Sequence, residues 1–378
     1  MPSGPTIEQL ADDPHPVLAR LRAEAPVVFV PALGGYLVVA REAALTVLHD
    51  PATFTVDDPR FSTARVVGPS MLSTDGDEHA RHRAPFTGPF RPRQVASRLA
   101  GTVGEAVARH VGALAARPER RGELRSAVAG PVAATAVGAT LGLDGEVSAD
   151  RLLGWYREIG GSVAGITEGR SPTAAGAAAM GELAAAVEHA LGGPSLLADA
   201  VAGGALDRSE VVSNAAVIMF GGIETTEAMI LNAVWFVLRA GGRPDPDAAA
   251  AVVAAVEESL RLEPPAAVVD RYATVDTVVG GVAIPARSLV TVSLAAANRD
   301  PAEFPEPDRF DPRRANLRRQ LAFAAGPHVC LGLDLARLEA ATTLAALLRR
   351  LPGLRLADGS PGPTGLVFRK PVRLDVMW

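Results

Sequence analysis

The chain has one cysteine, one lysine, no excess of positive charge and no long apolar run free of polar residues. A single cysteine, Cys330, excludes an intramolecular disulfide, so nothing points to an oxidising compartment. The 37 basic residues are outnumbered by 42 acidic ones, for a formal net charge of −5. That balance argues against a nucleic-acid-binding protein, in which a basic footprint is expected. Lys370 is the only lysine, and the preponderance of arginine reads first as the codon usage of a GC-rich genome. Asp12, Asp13, Arg20, Arg22 and Glu24 interrupt the apolar runs of the first thirty residues, which resemble neither a signal peptide nor a membrane anchor. The apolar stretch 211–238 is broken by Asn214, Glu224, Glu227 and Asn232 and reads as a buried helix, not a transmembrane span. The expectation is a soluble, cytoplasmic protein with no membrane and no nucleic-acid partner.

What is present is a core-forming composition, 48% hydrophobic and 21% charged over 378 residues. Strands are expected at 27–30 and 36–40 and helices at 15–25 and 41–50. Residues 51–73 lack periodicity and read as a long loop of the kind that often binds ligands. From 77 to about 204 the pattern is helical, with breaks near Pro92, Pro118, Gly142 and Gly169–Pro172. One long helix is expected over 207–240, capped by Asp207 or Ser209. Another runs 248–262 and stops at Pro264–Pro265. Residues 268–294 are β-rich, 300–320 proline-rich and irregular, 331–351 helical, and 354–376 short strands. The fold class is mainly α with smaller β-sheets (α+β). No linker divides the chain, so 1–378 reads as one domain.

Residues 323–332 read FAAGPHVCLG. A lone cysteine is commonly buried filler, a nucleophile or a metal ligand. Here a helix begins directly after it, and unpaired N–H groups at a helix N-terminus favour the thiolate that ligation requires. A zinc site would need further Cys or His ligands at close spacing, and only His328 is near. With Phe323, Gly326, His328, Cys330 and Gly332 at their spacing, the segment resembles the signature of the cytochrome P450 family, Phe-x-x-Gly-x-His-x-Cys-x-Gly. Five fixed residue types over ten positions rarely coincide. The resemblance implies the cytochrome P450 fold, haem b (iron protoporphyrin IX) as cofactor and Cys330 as the proximal iron ligand. One departure is Ala324, where many members have glycine; if that position needs φ > 0, alanine carries a cost.

Three further stretches match in the family's order. GGIETT at 221–226 places two glycines inside a helix at a cost of roughly 1 kcal/mol each, and a buried acid beside them is expensive unless paired or functional. Close helix packing is the plainer reading of the glycines. The resemblance implies that Thr225 contacts dioxygen at the haem, that Glu224 relays protons, and that Gly221 and Gly222 let the helix open. Glu258 and Arg261 are three apart on a helix and could be an ordinary surface ion pair; the resemblance makes them a structural lock, with Arg309 as the third member. Asp77 to Arg83 packs two histidines and two arginines into seven residues. This could be a solvated face, but His79 and Arg83 share a side of the helix. The family uses that pattern, with counterparts of Arg271 and His328, to bind haem propionates.

The implied activity is a haem-thiolate monooxygenase that takes electrons from an external ferredoxin and an NAD(P)H-dependent ferredoxin reductase, since no flavin or ferredoxin module is legible here. Arg313, Arg314, Arg318 and Arg319 could dock an acidic ferredoxin or simply form a solvated turn. Family topology places the 51–73 loop, residues 155–185, Ile218 to Thr225, Ala266, Ala267, Val268 and Val269, and 362–367 around an apolar substrate. Other readings keep the haem but change the reaction to coupling, desaturation or peroxide-driven oxidation, or make the chain a non-catalytic haem- or ligand-binding protein.

Overall fold

A computed structural model describes residues 4–167, 171–193 and 195–378. Gly169 and parts of the 155–185 stretch lie outside the described residues. The N-terminal region holds α1 (Ile7–Ala11), α2 (Pro14–Glu24), β1 (Val27–Val30), β2 (Gly35–Val38), α3 (Arg41–His49) and β3 (Phe54–Thr55). The stretch expected to be a loop also contains α4 (Ala64–Val67). Helices follow as α5 (Gly76–Thr87), α6 (Pro92–Arg98) and α7 (Ala100–Ala115). Strand β4 (Arg121–Glu123) and a π-helical turn, Arg125–Ala129, lead into α8 (Gly130–Leu141), α9 (Ala149–Thr167), α10 (Ala174–Ala190) and α11 (Leu196–Ala202). The longest helix is α12 (Arg208–Ala240), followed by α13 (Ala249–Leu262). Then come β5 (Val268–Ala273), β6 (Thr277–Val279), β7 (Val282–Ile284), β8 (Leu289–Ser293), α14 (Leu294–Ala297), α15 (Leu333–Arg350), β9 (Arg355–Leu356) and β10 (Asp375–Met377).

Helix α12 runs unbroken because its start is well capped and its interior is buried. Asp207 and Glu210 form a reciprocal capping box. Its length and hydropathy would let it cross a membrane, yet 67% of its most apolar window is buried inside the fold. The polar residues that interrupt it have tertiary partners, as burial demands. Asn214 accepts from Met71 N at 2.9 Å and bonds the His82 ring at 2.8 Å. Asn232 donates to the carbonyls of Glu263 and Arg369. Helices α8, α13 and α15 pack against α12, and α7 against α8 and α15, in one large apolar core.

The five-stranded sheet has the order β1-β2-β8-β5-β3, with β2 and β8 parallel and the other pairs antiparallel. It positions β5, and with it Arg271, beside the loop that follows α3. Strand β4 lies in a region with a helical pattern. It exists because β10 pairs with it, Val376 opposite Gly122 and Met377 opposite Arg121. Tertiary pairing outweighs the weak strand preference of Arg-Gly-Glu.

Candidate haem-thiolate site

The cysteine loop is held by its backbone. Cys330 N–H donates to Phe323 O at 2.9 Å, closing the segment on itself. The Arg337 guanidinium, one turn into α15, lies 4.7 Å over the Phe323 ring and bonds Glu257 of α13 at 2.6 Å. Gly326 has φ +71, and a Cβ there would sit 2.1 Å from the Leu48 carbonyl oxygen, so only glycine fits. Gly332 caps α15 but faces no such crowding; its nearest neighbour would be Phe90 at 3.8 Å. Ala324 does adopt φ +57, the left-handed conformation that glycine favours.

The cysteine stands just outside the helix that follows it. Helix α15 begins three residues after Cys330, at Leu333. Cys330 is half-buried. Burial pushes its pKa up, against the Gly332 N–H and the charges of Arg83 and Arg337. A bound cation would favour the thiolate against that burial.

Above this loop, four expected residues converge. His79 on α5 is buried, and its ring lies 4.3 Å from that of His328. Arg83, one turn on, donates to Val329 O at 2.7 Å. Arg271, in β5, is 5% exposed and donates to Asp270 O at 2.8 Å. Burial lowers the Arg271 pKa, with Asp75 and Asp270 opposing. The same effect, reinforced by the nearby His328 and Arg83, lowers the His79 pKa to about 4.

Asp75 organises the cluster and was missed by sequence reasoning. It accepts from Thr55 Oγ1 at 2.6 Å and Val56 N at 2.8 Å, and its Oδ1 lies 2.7 Å from His328 Nε2. One carboxylate thus ties the 51–73 segment, the start of α5 and the cysteine loop together. The available signal was an acid directly before the helical glycine Gly76. The rest of the α5 motif points elsewhere: Arg81 binds Glu78, Glu210 and Ala205 O, and His82 binds Asn214.

On α12, Glu224 is buried and paired with Lys370 Nζ at 2.8 Å. Thr225 Oγ1 donates to Gly221 O at 2.6 Å, a back-bond that tends to bend a helix. The two glycines separate in role. A Cβ at Gly222 would lie 2.7 Å from Val137 Cγ2, so this residue serves close packing against α8, the plainer reading of the pair. A Cβ at Gly221 would meet nothing within 4 Å.

Glu258 and Arg261 are both fully buried, which removes the surface-pair reading. Arg261 Nε and Nη2 contact the two Glu258 oxygens at 2.7 and 2.8 Å. The expected third member is corrected: the Arg309 side chain is 55% exposed and pairs with Glu306, and only its carbonyl accepts from Arg261. Arg314 takes the place instead, its Nε 3.0 Å from Glu258 Oε1 and its side chain 8% exposed. Arg314 is therefore also unavailable to dock a partner.

The family model for cytochrome P450 matches residues 251–354. The chain is 34% identical to cytochrome P450 monooxygenase PikC of Streptomyces venezuelae, over 94% of this chain and 88% of the relative. It is 33% identical to nocardicin C N-oxygenase of Nocardia uniformis subsp. tsuyamanensis, over 100% and 98%. The chain belongs to the cytochrome P450 family. The solved structure of cytochrome P450 CREJ in complex with (4-ethylphenyl) dihydrogen phosphate superposes with a TM-score of 0.87 at 28% identity, covering 98% of each chain. This P450 is a haem-thiolate monooxygenase, and haem b is its cofactor.

The residues present fit that group. His79 Nε2 is buried without a hydrogen-bond partner, and Arg271 is a desolvated cation, as carboxylate-binding groups would be. Residues 266–269, expected beside the substrate, divide between core packing and partial exposure. Side chains alternate in an extended run, and Ala267 and Val269 turn into core clusters. Ala266 and Val268 are half-buried and belong to neither cluster. A run of aromatic rings that sequence reasoning missed lies nearby: Tyr156 is 6.0 Å from Phe220, and Phe220 is 5.6 Å from Phe368.

Proposed function

We propose that this P450 inserts one atom of dioxygen into an apolar small molecule, in the cytoplasm, with electrons from an external ferredoxin and its NAD(P)H-dependent reductase. When bound, the haem supplies dioxygen activation and accepts the electrons, and its thiolate ligand favours O–O cleavage. Cys330 would be that ligand. His79, Arg83, Arg271 and His328 would hold the propionates, with Asp75 orienting the His328 ring. The Thr225 hydroxyl and the Glu224 carboxylate would handle protons on the opposite side, and Gly221 leaves space beside them.

The observation that carries the reading is the neighbouring acid and alcohol on α12, buried or half-buried directly after the apolar stretch 215–220 and the two glycines. Such groups are expensive to bury without a task. Ala266, Val268, Ile218 and the rings of Phe220 and Phe368 present almost no hydrogen-bonding groups, which suits an apolar substrate. Arg313, Arg318 and Arg319 remain at the surface as candidates to steer an acidic ferredoxin.

The first test is the carbon monoxide difference spectrum of the reduced protein. A strongly red-shifted Soret band is expected, and a band typical of nitrogen ligation would refute Cys330. Turnover under labelled dioxygen should then place one labelled atom in the product. Label arriving from water or peroxide instead would overturn the oxygenase assignment.

A further inference from the structure

Thirty-seven basic residues include one lysine, and that lysine sits in a largely buried ion cluster against α12. Lys370 Nζ lies 2.8 Å from Glu224 Oε1 and 2.6 Å from Glu227 Oε1. Glu227 Oε1 also accepts from Arg125 Nε at 2.8 Å, at the start of the π-helical turn. The side chains of Glu224, Glu227 and Lys370 are 10%, 5% and 11% exposed, and that of Arg125 is 35% exposed. Two carboxylates and two cations therefore alternate in a neutral row from α12 to the surface.

A primary ammonium suits the inner position. Two carboxylate oxygens from successive turns of one helix converge on a single point, and an ammonium offers three rotatable donors to it. A planar guanidinium fork matches one carboxylate side-on instead. The lysine is also fastened to the substrate side. Thr364 and Lys370 pair through their backbones, and Phe368, two residues earlier, stacks edge-on against Phe220 and bridges to Ala266.

We propose that Lys370 is a positioning residue for oxygen activation: it holds the Glu224 carboxylate in place beside Thr225 and links that carboxylate, through Glu227 and Arg125, to solvent. The proposal rests on the proton-handling role given above to Glu224. No proton need pass through the ammonium; its task is to fix where the acid points. The segment that carries it also borders the substrate, so pocket shape and acid geometry are coupled through one side chain.

The test compares Lys370→Met with Lys370→Arg in the haem-loaded protein. The methionine variant should keep its haem content and carbon monoxide band. Its product formed per NAD(P)H consumed should fall about tenfold, with peroxide rising, as when a general acid is misplaced. The solvent isotope effect on turnover should rise with it, and arginine should restore part of the coupling. Unchanged coupling in Lys370→Met, or equal loss in both variants, overturns the proposal. A second readout needs no turnover. Lysine labelled with nitrogen-15 gives one side-chain signal in this chain. It should appear at neutral pH as a slowly exchanging ammonium and shift in Glu224→Gln far more than in Thr225→Ala. An exposed, unshifted amine would sink the idea even if the methionine variant fails to fold. A shifted amine without haem uptake would leave the geometry standing and refute the enzymatic reading instead.

Discussion

Replacing Arg314 by alanine tests the buried ion network where its geometry is most specific. The Arg314 guanidinium contacts Glu258 Oε1 at 3.0 Å and donates to the carbonyls of Pro305, Glu306 and Arg309 at 2.5, 2.7 and 3.0 Å. Its loss leaves a fully buried Glu258 with Arg261 and the Asp311 N–H as remaining partners. Breaking a buried pair costs about 3–5 kcal/mol when the remaining charge is stranded. Because Arg261 stays, about 3 kcal/mol is expected. At the usual unfolding entropy per residue, that corresponds to roughly 4 °C for a chain of this size. Arg309→Ala removes only an exposed pair with Glu306 and spares the backbone carbonyl that Arg261 uses; about 0.5 kcal/mol or less is expected. Urea unfolding of both variants, read as a change of midpoint at constant slope, makes the comparison. If Arg309→Ala costs as much as Arg314→Ala, the assignment of the third member is wrong.

Ala324→Gly should stabilise the protein by about 0.5–1 kcal/mol, because relief of φ +57 exceeds the entropy that glycine loses on folding; a lower unfolding midpoint would contradict this. The two helical glycines should respond with opposite signs. Gly222→Ala is expected to destabilise by about 1 kcal/mol through the clash with Val137, whereas Gly221→Ala should gain up to about 1 kcal/mol of helix propensity, both read by thermal unfolding. Glu339 on α15 is buried with Oε2 unpartnered, and burial raises its pKa well above the ordinary value. The folded state keeps that proton while the unfolded state releases it above about pH 4.5, so its contribution to stability is lost as pH rises. Glu339→Gln should therefore gain on the parent between pH 5 and 7, by up to about 1.4 kcal/mol per unit; parallel stability curves would refute it.

The cysteine loop was legible because ligation needs fixed residue types at fixed offsets within one short segment. Helices α12, α13 and α15 were legible because capping residues, prolines and apolar periodicity lie along the sequence itself. What was not legible depends on distant chain. Strand β4 is made by β10, and Glu224 finds its cation at Lys370, near the opposite end of the sequence. Arg309 and Arg314 lie five residues apart in an irregular segment, where backbone turns decide which guanidinium points inward. The alternation that turns Val269 into a core cluster was available in principle, since 268–294 reads as β-rich.

The burial of Lys370 also changes how this protein can be handled. Among the described residues the outer surface offers guanidinium groups to solvent but no freely accessible side-chain ammonium. Acylating reagents aimed at amines should therefore find the α-amino group of the chain first and the interior lysine last. A dye, a surface anchor or an electrode linker attached by that chemistry would be confined to a single kind of amine, and the interior cluster of Lys370 would stay unmodified.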